Sequence, residues 1–440
     1  MTLTADLCDF ALDVQWTELG ARTRGAASET TGNALALMVG AARHPAVDAA
    51  VRAVGELGAG DSVALLGRPE RFPAIWAALV HGIAAHVEDF DDTHPPTVIH
   101  PGAPVVPAAL SAAVLADASG AELLAAVTAG VETTLRVGMA LIPEAIDRGW
   151  HMTGIAGPVG AAVAAGRLLG LDRAQLHSAV GLAVTQSAGL VEALGSMAKP
   201  LHAGKAAMNG LEAALLARHG LDGTPAPIEG RGGLVALHAD RVDAGDALAD
   251  LGSRWEIEAN EIKPYAGGVV SHSIIDLATA LAAERASEPV AVRLDVHPFV
   301  LVVMGRTAPG TGLEAKFSAT HCFAVGYLDG CAGPAQFADE VVRRPDVVVL
   351  RDRCRLVPDP ALPRYAVRAE IVTADGQVLH RERRHPEPLG IDGVRRKALA
   401  LTAPVLGTRA GGFVDAAFAL DAVASVRAFS VGAQPSTVPE

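Results

Sequence analysis

Aromatic side chains are scarce. Phe, Trp and Tyr together make up 4% of the 440 residues, whereas glycine alone numbers 46. A core with so few large rings is expected from closely packed helices with small contact residues, not from an aromatic-rich β-sandwich. Cysteine is rarer still. The four thiols, Cys8, Cys322, Cys331 and Cys354, match neither a C-x-x-C pair nor a disulfide framework. They are expected to be reduced thiols of a cytoplasmic protein. Positive charge is in deficit: 36 Lys and Arg face 49 Asp and Glu, a net charge of −13. No basic block interrupts that surplus, so nucleic acid is not an expected partner. An acidic surface leaves room for a local cationic pocket that binds a carboxylate. Long apolar runs are missing as well. The charge-poor stretch 101–116 contains prolines and is too short to span a bilayer, so no membrane partner is expected. The segment MTLTADLCDF carries two acids and no basic lead, unlike a secretory signal.

Several chemical signatures are absent too. There is no G-x-S-x-G elbow for a serine nucleophile and no Gly-rich phosphate loop after a strand. Neither H-x-x-x-H nor H-E-x-x-H accompanies the acidic and histidine residues near 90, which weakens a metal centre built on Asp91, Asp92, His94 and His100. There is no internal repeat or low-complexity tract.

Half of the residues are hydrophobic and 19% are charged, enough for a large core or two. Residues 1–261 read as helix after helix. They include an Ala- and Leu-rich span over 121–142, the small-residue run GPVGAAVAAGRLLG, a helix capped by Asp172, and one over 206–219 ended by Gly220. From 262 to 392 the pattern turns to α+β. Alternation predicts strands at 290–296 and 367–371, Asp375-Gly376 a hairpin turn, 378–383 its second strand, and 347–350 a further short strand. Helix is expected again from 393 to the end. The fold class is mainly α: a large helical domain, 1–261 and 393–440, interrupted by a smaller α+β lid domain over 262–392.

Polar groups gather in four islands within apolar surroundings. The first is HVEDFDDTHPPTVIH, from His86 to His100. The second is RGWHMT around His151. The third is KPLH from Lys199 to His202. The fourth is KPY with Lys263 and Tyr265, followed by Ser271-His272. Three of them stand at the mouth of a predicted helix, where free N–H groups and the dipole favour an anion. Adding Lys199 and several imidazoles gives a site suited to carboxylates and to proton transfer at carbon. Taken singly, His86, His202 and His94 read as structural, and Asp91 and Asp92 as turn or cap residues.

In order, the islands resemble the MmgE/PrpD family, which includes 2-methylcitrate dehydratase, cis-aconitate decarboxylase and an iminodisuccinate epimerase. The matching pieces are HGIAAHVEDFDDTH, GWHMTGIAGPVG, GSMAKPLHAGKAAMNG, IKPYAGGVVSHSIID and EAKFSATHCFAVGYLDG. The resemblance implies a helical domain with a lid, a homodimer, and catalysis without a metal or organic cofactor on a small carboxylate. It implies catalytic roles for Asp89, His100, His151, Lys199 and His272, and substrate contacts for Thr93, Lys263, Tyr265 and His321. Two features depart from the family. The spacing to His100 is one residue longer, and His321 stands where decarboxylase-like members have tyrosine. The Asn of the dehydratases' DFNDT is also missing.

The expected reaction is a lyase step on a small polycarboxylic acid, with dehydration preferred. Decarboxylation, epimerisation, a specialised relative in secondary metabolism and a metal-dependent hydrolase are the alternatives. Lys199, with His151 or His272, is expected to bind the carboxylate. His100 or His272 is expected to carry the proton, and Asp89 to orient an imidazole while Thr93 positions substrate.

Overall fold

A computed structural model describes residues 2–58, 60–240, 244–284 and 287–435. The helices of the first part that build the site and its support are α1 (Ala21–Gly40), α2 (Ala74–Val87), α3 (Gly102–Ala116), α4 (Gly120–Met139), α5 (Met152–Leu168), α6 (Arg173–Val184) and α7 (Ala198–Arg218). Helix α5 is the hub, packing against α3, α4, α6 and α7, and α7 also packs against α2. Small residues set these spacings. A Cβ on Gly82 of α2 would lie 2.7 Å from the Gly204 Cα of α7, and one on Gly130 of α4 would lie 2.5 Å from the Gly160 carbonyl of α5. Backbones that close leave no room for a larger side chain. Local signals start two of these helices. Ser119 and Asp172 each make a capping box, with Glu122 and Gln175.

The second part carries α8 (His272–Ala283), α9 (Ala319–Asp329) and α10 (Pro345–Asp352) beside a four-stranded sheet. Its strands are β3 (Pro289–Val296), β4 (Cys354–Pro358), β5 (Val367–Thr373) and β6 (Val378–Arg383), in the order β4-β3-β5-β6. Strand β3 pairs in parallel with β4 and antiparallel with β5, and β5–β6 is the hairpin turned at Asp375-Gly376. Val367, Ala369 and Ile371 are buried while Arg368 and Glu370 face out, the period of a one-sided sheet. The fold is mainly α with a small sheet in its C-terminal part, in agreement with the sequence.

One element differs. Residues 347–350, expected as a strand, lie inside α10. Pro345 at its first turn presets the helix, and Val347 and Leu350, three apart, are the buried pair while Val349 faces solvent. A short apolar run has no period of its own to separate the two structures. A further helix, α11 (Ile391–Leu406), packs along α1. One apolar core collects the first helices together with Ala398, Leu406 and Phe413, and a second collects residues of the sheet with α8 and α9. Residues 436–440 of the expected helical return lie outside the described residues.

Two very short strands tie the parts together at the site. Strand β1 (Asp92–Thr93) pairs antiparallel with β2 (Glu261–Ile262). Lys263 N then donates to the Asp91 carbonyl at 3.0 Å, and Gly267 N to the Asp89 carbonyl at 2.9 Å.

Candidate active site

Helix α2 ends at Val87, and the chain turns through Asp89 with a left-handed φ of 51°. A second such residue, Val98 at φ 56°, closes the tight loop in which His94 N donates to the Ile99 carbonyl at 2.8 Å. A β-branched residue in that region costs about 1–3 kcal/mol. The strain is held in place by the surrounding bonds. The Asp92 carboxylate accepts from Gly102 N at 2.9 Å, at the start of α3, and from Asn260 Nδ2 at 2.6 Å. His100 N donates to Thr153 Oγ1 at 3.1 Å, and His100 Nδ1 donates to the Asp92 carbonyl at 2.7 Å. With Nδ1 so committed, the lone pair of the neutral His100 ring sits on Nε2.

These bonds aim Asp89, His100, His151 and Lys199 into one cavity. His151 is the N-cap of α5. Lys199 stands in the first turn of α7, which begins at Ala198, earlier than its sequence suggested. Lys263 Nζ donates to Asp89 Oδ1 at 2.5 Å and lies 3.3 Å from Asp91 Oδ1. Lys199 Nζ is 2.9 Å from the same Asp89 oxygen, but without the alignment of a hydrogen bond. The ion pair with Asp89 engages one side of that ammonium, while Asp89 Oδ2 and His151 Nε2 are buried without partners. Buried polar atoms without partners are uncommon and mark where a ligand would bond.

The electrostatics follow from burial and from this lysine pair. Burial alone would raise the Asp89 carboxyl, but Lys199 and Lys263 outweigh it and hold it well below the usual range. Burial would lower Lys263, yet Asp89 and Asp91 raise it, so that ammonium is fixed. For Lys199 burial wins over Asp89, and its pKa falls. Burial, reinforced by the nearby lysines, holds His100 and His151 well below 6.5. The site thus holds neutral imidazoles beside a carboxylate shared by two lysines.

The acid that meets the imidazoles is Asp91, not Asp89. His86 Nδ1 donates to Asp91 Oδ2 at 2.5 Å, and His100 Nδ1 is 3.8 Å from Asp91 Oδ1. His86 stacks on His151 at 5.7 Å, and His151 Nδ1 lies 3.0 Å from His202 Nδ1. His86 and His202, which looked structural one at a time, thus belong to a single imidazole cluster.

The other expected residues stand behind the cavity. Lys263 reaches it only through Asp89. Thr93 is buried on β1 with its hydroxyl unpartnered. His272 Nε2 lies 3.3 Å from the Gly267 carbonyl, and its ring meets Tyr265 edge-on at 5.6 Å. Tyr265 spends its hydroxyl on Asp276 at 2.7 Å. His321 faces elsewhere, with Nε2 3.0 Å from the Gln336 carbonyl and its ring against Phe337. None of these five side chains lines the cavity.

Lys397 of α11 escaped sequence reasoning. Its ammonium donates to the Phe90 carbonyl and, at 3.0 Å, to the Lys263 carbonyl, and it sits 3.7 Å from the Phe90 ring centroid. It clamps the two site loops together. The available signal was its spacing from Val394, Ala398 and Leu401, which puts a lone lysine on the buried face of α11. Among the described residues, no three His, Cys, Asp or Glu side chains are grouped so as to hold a metal ion.

With this geometry in hand, the sequence models of known families are decisive. The MmgE/PrpD N-terminal domain matches residues 5–245, and the MmgE/PrpD C-terminal domain matches residues 265–414. The chain belongs to the MmgE/PrpD family. Among its relatives, the cis-aconitate decarboxylase of Mus musculus is 32% identical over 319 residues, covering 68% of this chain and 64% of that one. The Homo sapiens cis-aconitate decarboxylase is 30% identical, over 68% of this chain and 65% of its own. The Aspergillus terreus enzyme of the same name is 25% identical, over 78% and 76%. The chain therefore spans a little under two thirds of the length of the mouse and human relatives it matches. No helix among the described residues is long and apolar enough to cross a membrane.

Proposed function

We propose that this MmgE/PrpD protein is a cofactor-independent lyase that removes CO₂ from a carboxylic acid with a π-system one carbon away, as in a β,γ-unsaturated or β-keto acid. The observation that carries this is the placing of the Lys199 ammonium, paired with Asp89, an unpartnered His151 nitrogen and a largely apolar wall in one cavity. A carboxylate held against apolar walls is destabilised, and the loss of its charge as CO₂ relieves that. The names of the relatives favour the same reaction over the dehydration expected first, which also requires an acid placed on a leaving hydroxyl.

The step balances within the chain's own groups. The bond from carbon to the departing carboxylate breaks, and its electron pair moves into the neighbouring π-system. Lys199 stabilises the charge that develops there. His151 Nε2–H gives its proton to the carbon that holds the electron pair, the far carbon of the double bond in a β,γ-unsaturated acid or the carbon that lost CO₂ in a β-keto acid, while its Nδ1 receives one from His202 Nδ1 across 3.0 Å. His202 is half-buried, so water can restore its proton. Asp89, fixed by Lys263, keeps Lys199 in position.

A screen with cis-aconitate, 2-methylcitrate, citrate, iminodisuccinate and a set of 3-enoic and β-keto acids, read by CO₂ release, tests this. At least one acid is expected to release CO₂, with Lys199→Ala about 10²–10⁴-fold slower in kcat. Loss of water without CO₂, or full activity in Lys199→Ala, contradicts the proposal.

A further inference from the structure

The polar groups of the cavity gather at one end. Asp89 and Lys199 are 2.9 Å apart, and the His100 and His151 rings lie 6.4 Å apart. Every other lining residue is hydrophobic or glycine; Trp150, Val191, Leu194, Phe299, Val303 and Met304 make up much of that surface. Among the described residues, no arginine lines it. Arg148, near Trp150 in sequence, pairs with Asp240, while Arg306 donates to the Leu194 carbonyl at 3.1 Å and lies 3.8 Å from Glu314. The neighbouring lysines are spent as well. Lys263 is bound by Asp89 and Asp91, and Lys316 by Glu88 at 2.6 Å. Lys199 is the one ammonium that lines the cavity, and Asp89, 2.9 Å away, offsets part of its charge.

A single such cation can accommodate one carboxylate. Further carboxylates on the same ligand would lie against hydrophobic walls without partners, which is strongly unfavourable. An apolar group would instead gain from being buried there.

We infer that the ligand of this cavity is a monocarboxylate bearing an extended apolar group, in place of the compact polycarboxylate that the sequence suggested. The inference rests on the lyase reading only for the ligand's reactive atoms. The carboxylate meets Lys199, and the apolar group lies along Leu194, Phe299 and Val303.

Titration calorimetry on the full chain tests this independently of turnover, with straight-chain acids from butyrate to decanoate set against tricarballylate. Affinity is expected to rise about fourfold per methylene until the cavity is full, with octanoate binding more tightly than tricarballylate. Leu194→Asn and Val303→Asn, both at half-buried positions, should flatten that rise. Lys199→Ala should weaken acids of every length by roughly tenfold or more. Tighter binding of tricarballylate, no dependence on chain length, or no binding of any acid overturns the inference. Chain-length-dependent binding without CO₂ release from any acid supports it while overturning the lyase reading.

Discussion

At the scale of single residues, the site is an economy of protons. The imidazoles of His86, His100, His151 and His202 all lie below the ordinary 6.5, with burial the first cause, so none of them rests charged at neutral pH. A neutral ring can still deliver a proton from one nitrogen if its other nitrogen receives one, which is what the 3.0 Å contact between His151 and His202 allows. His202→Ala is therefore expected to lower kcat by about 10²-fold, in the range for removing a positioned acid–base group. Added imidazole should restore part of that activity, because it would refill the space and the proton route together. A variant that loses activity without rescue, or keeps it in full, would show that His202 only packs against His151.

The four islands were visible in the sequence because polar residues stand out in Ala-rich surroundings. Their division of labour was not. Asp89 and Asp91 are two positions apart, and nothing local says that one faces two lysines while the other faces two imidazoles. That outcome depends on the left-handed turn at Asp89 and on Lys263, which arrives from far along the chain. Lys397, Leu194 and Val303 reach the site by the same long-range route, and no motif marks them.

At the scale of elements, the site depends on how closely α2 and α7 approach. His86 closes α2, and Lys199 and His202 open α7, so any shift between these helices moves the imidazoles relative to the ammonium. The contact is set by Gly82 and Gly204, whose added Cβ atoms would fall 2.7 Å from the Gly204 Cα and 2.5 Å from the Leu79 carbonyl. Gly82→Ala and Gly204→Ala are each expected to cost about 1–3 kcal/mol of stability, the usual penalty for overpacking, with a clear fall in kcat. Urea denaturation and steady-state kinetics check this. Unchanged values for both variants would mean that the helix spacing does not control the site.

Elements with a clear period were legible. The alternation over 367–371, the Asp-Gly turn and the cap at Asp172 all appear where the sequence put them. The strand expected at 347–350 became a helix because four consecutive apolar residues carry no period, and the proline before them decided the matter. The start of α7 was placed late because KPLH reads as a loop island, although Pro200 fits the first turn of a helix.

For the molecule as a whole, the buried imidazoles set the response to acid. His81 and His272, fully buried, are lowered to about 3, with burial the first cause in each. His81 Nε2 accepts from Leu66 N at 3.0 Å, a bond that its protonation would break. Below pH 6.5 the unfolded chain takes up protons on these rings and the folded chain does not, so stability falls with pH. The slope is up to about 1.4 kcal/mol per pH unit for each ring. Asp92, raised to about 7 by burial and by Asp91, works in the opposite sense, as do the raised Glu29, Glu132 and Glu261, but eight histidines are lowered against them. Thermal melts should therefore show Tm falling from pH 6.5 to pH 5. A Tm that is flat or rising over that window contradicts neutral burial of these histidines.

The central claim is that this MmgE/PrpD cavity breaks a carbon–carbon bond beside a carboxylate and returns one proton to the carbon. The most direct measurement is NMR in deuterium oxide, on the most rapidly converted acid of the screen, labelled with ¹³C at each carboxylate in turn. The account expects one label to leave as carbonate, in step with product, and a single deuterium in the product, at the far carbon of the π-system for a β,γ-unsaturated acid or at the carbon that lost CO₂ for a β-keto acid. Complete retention of label in an alkene formed by loss of water, or deuterium exchange without net conversion, would contradict it.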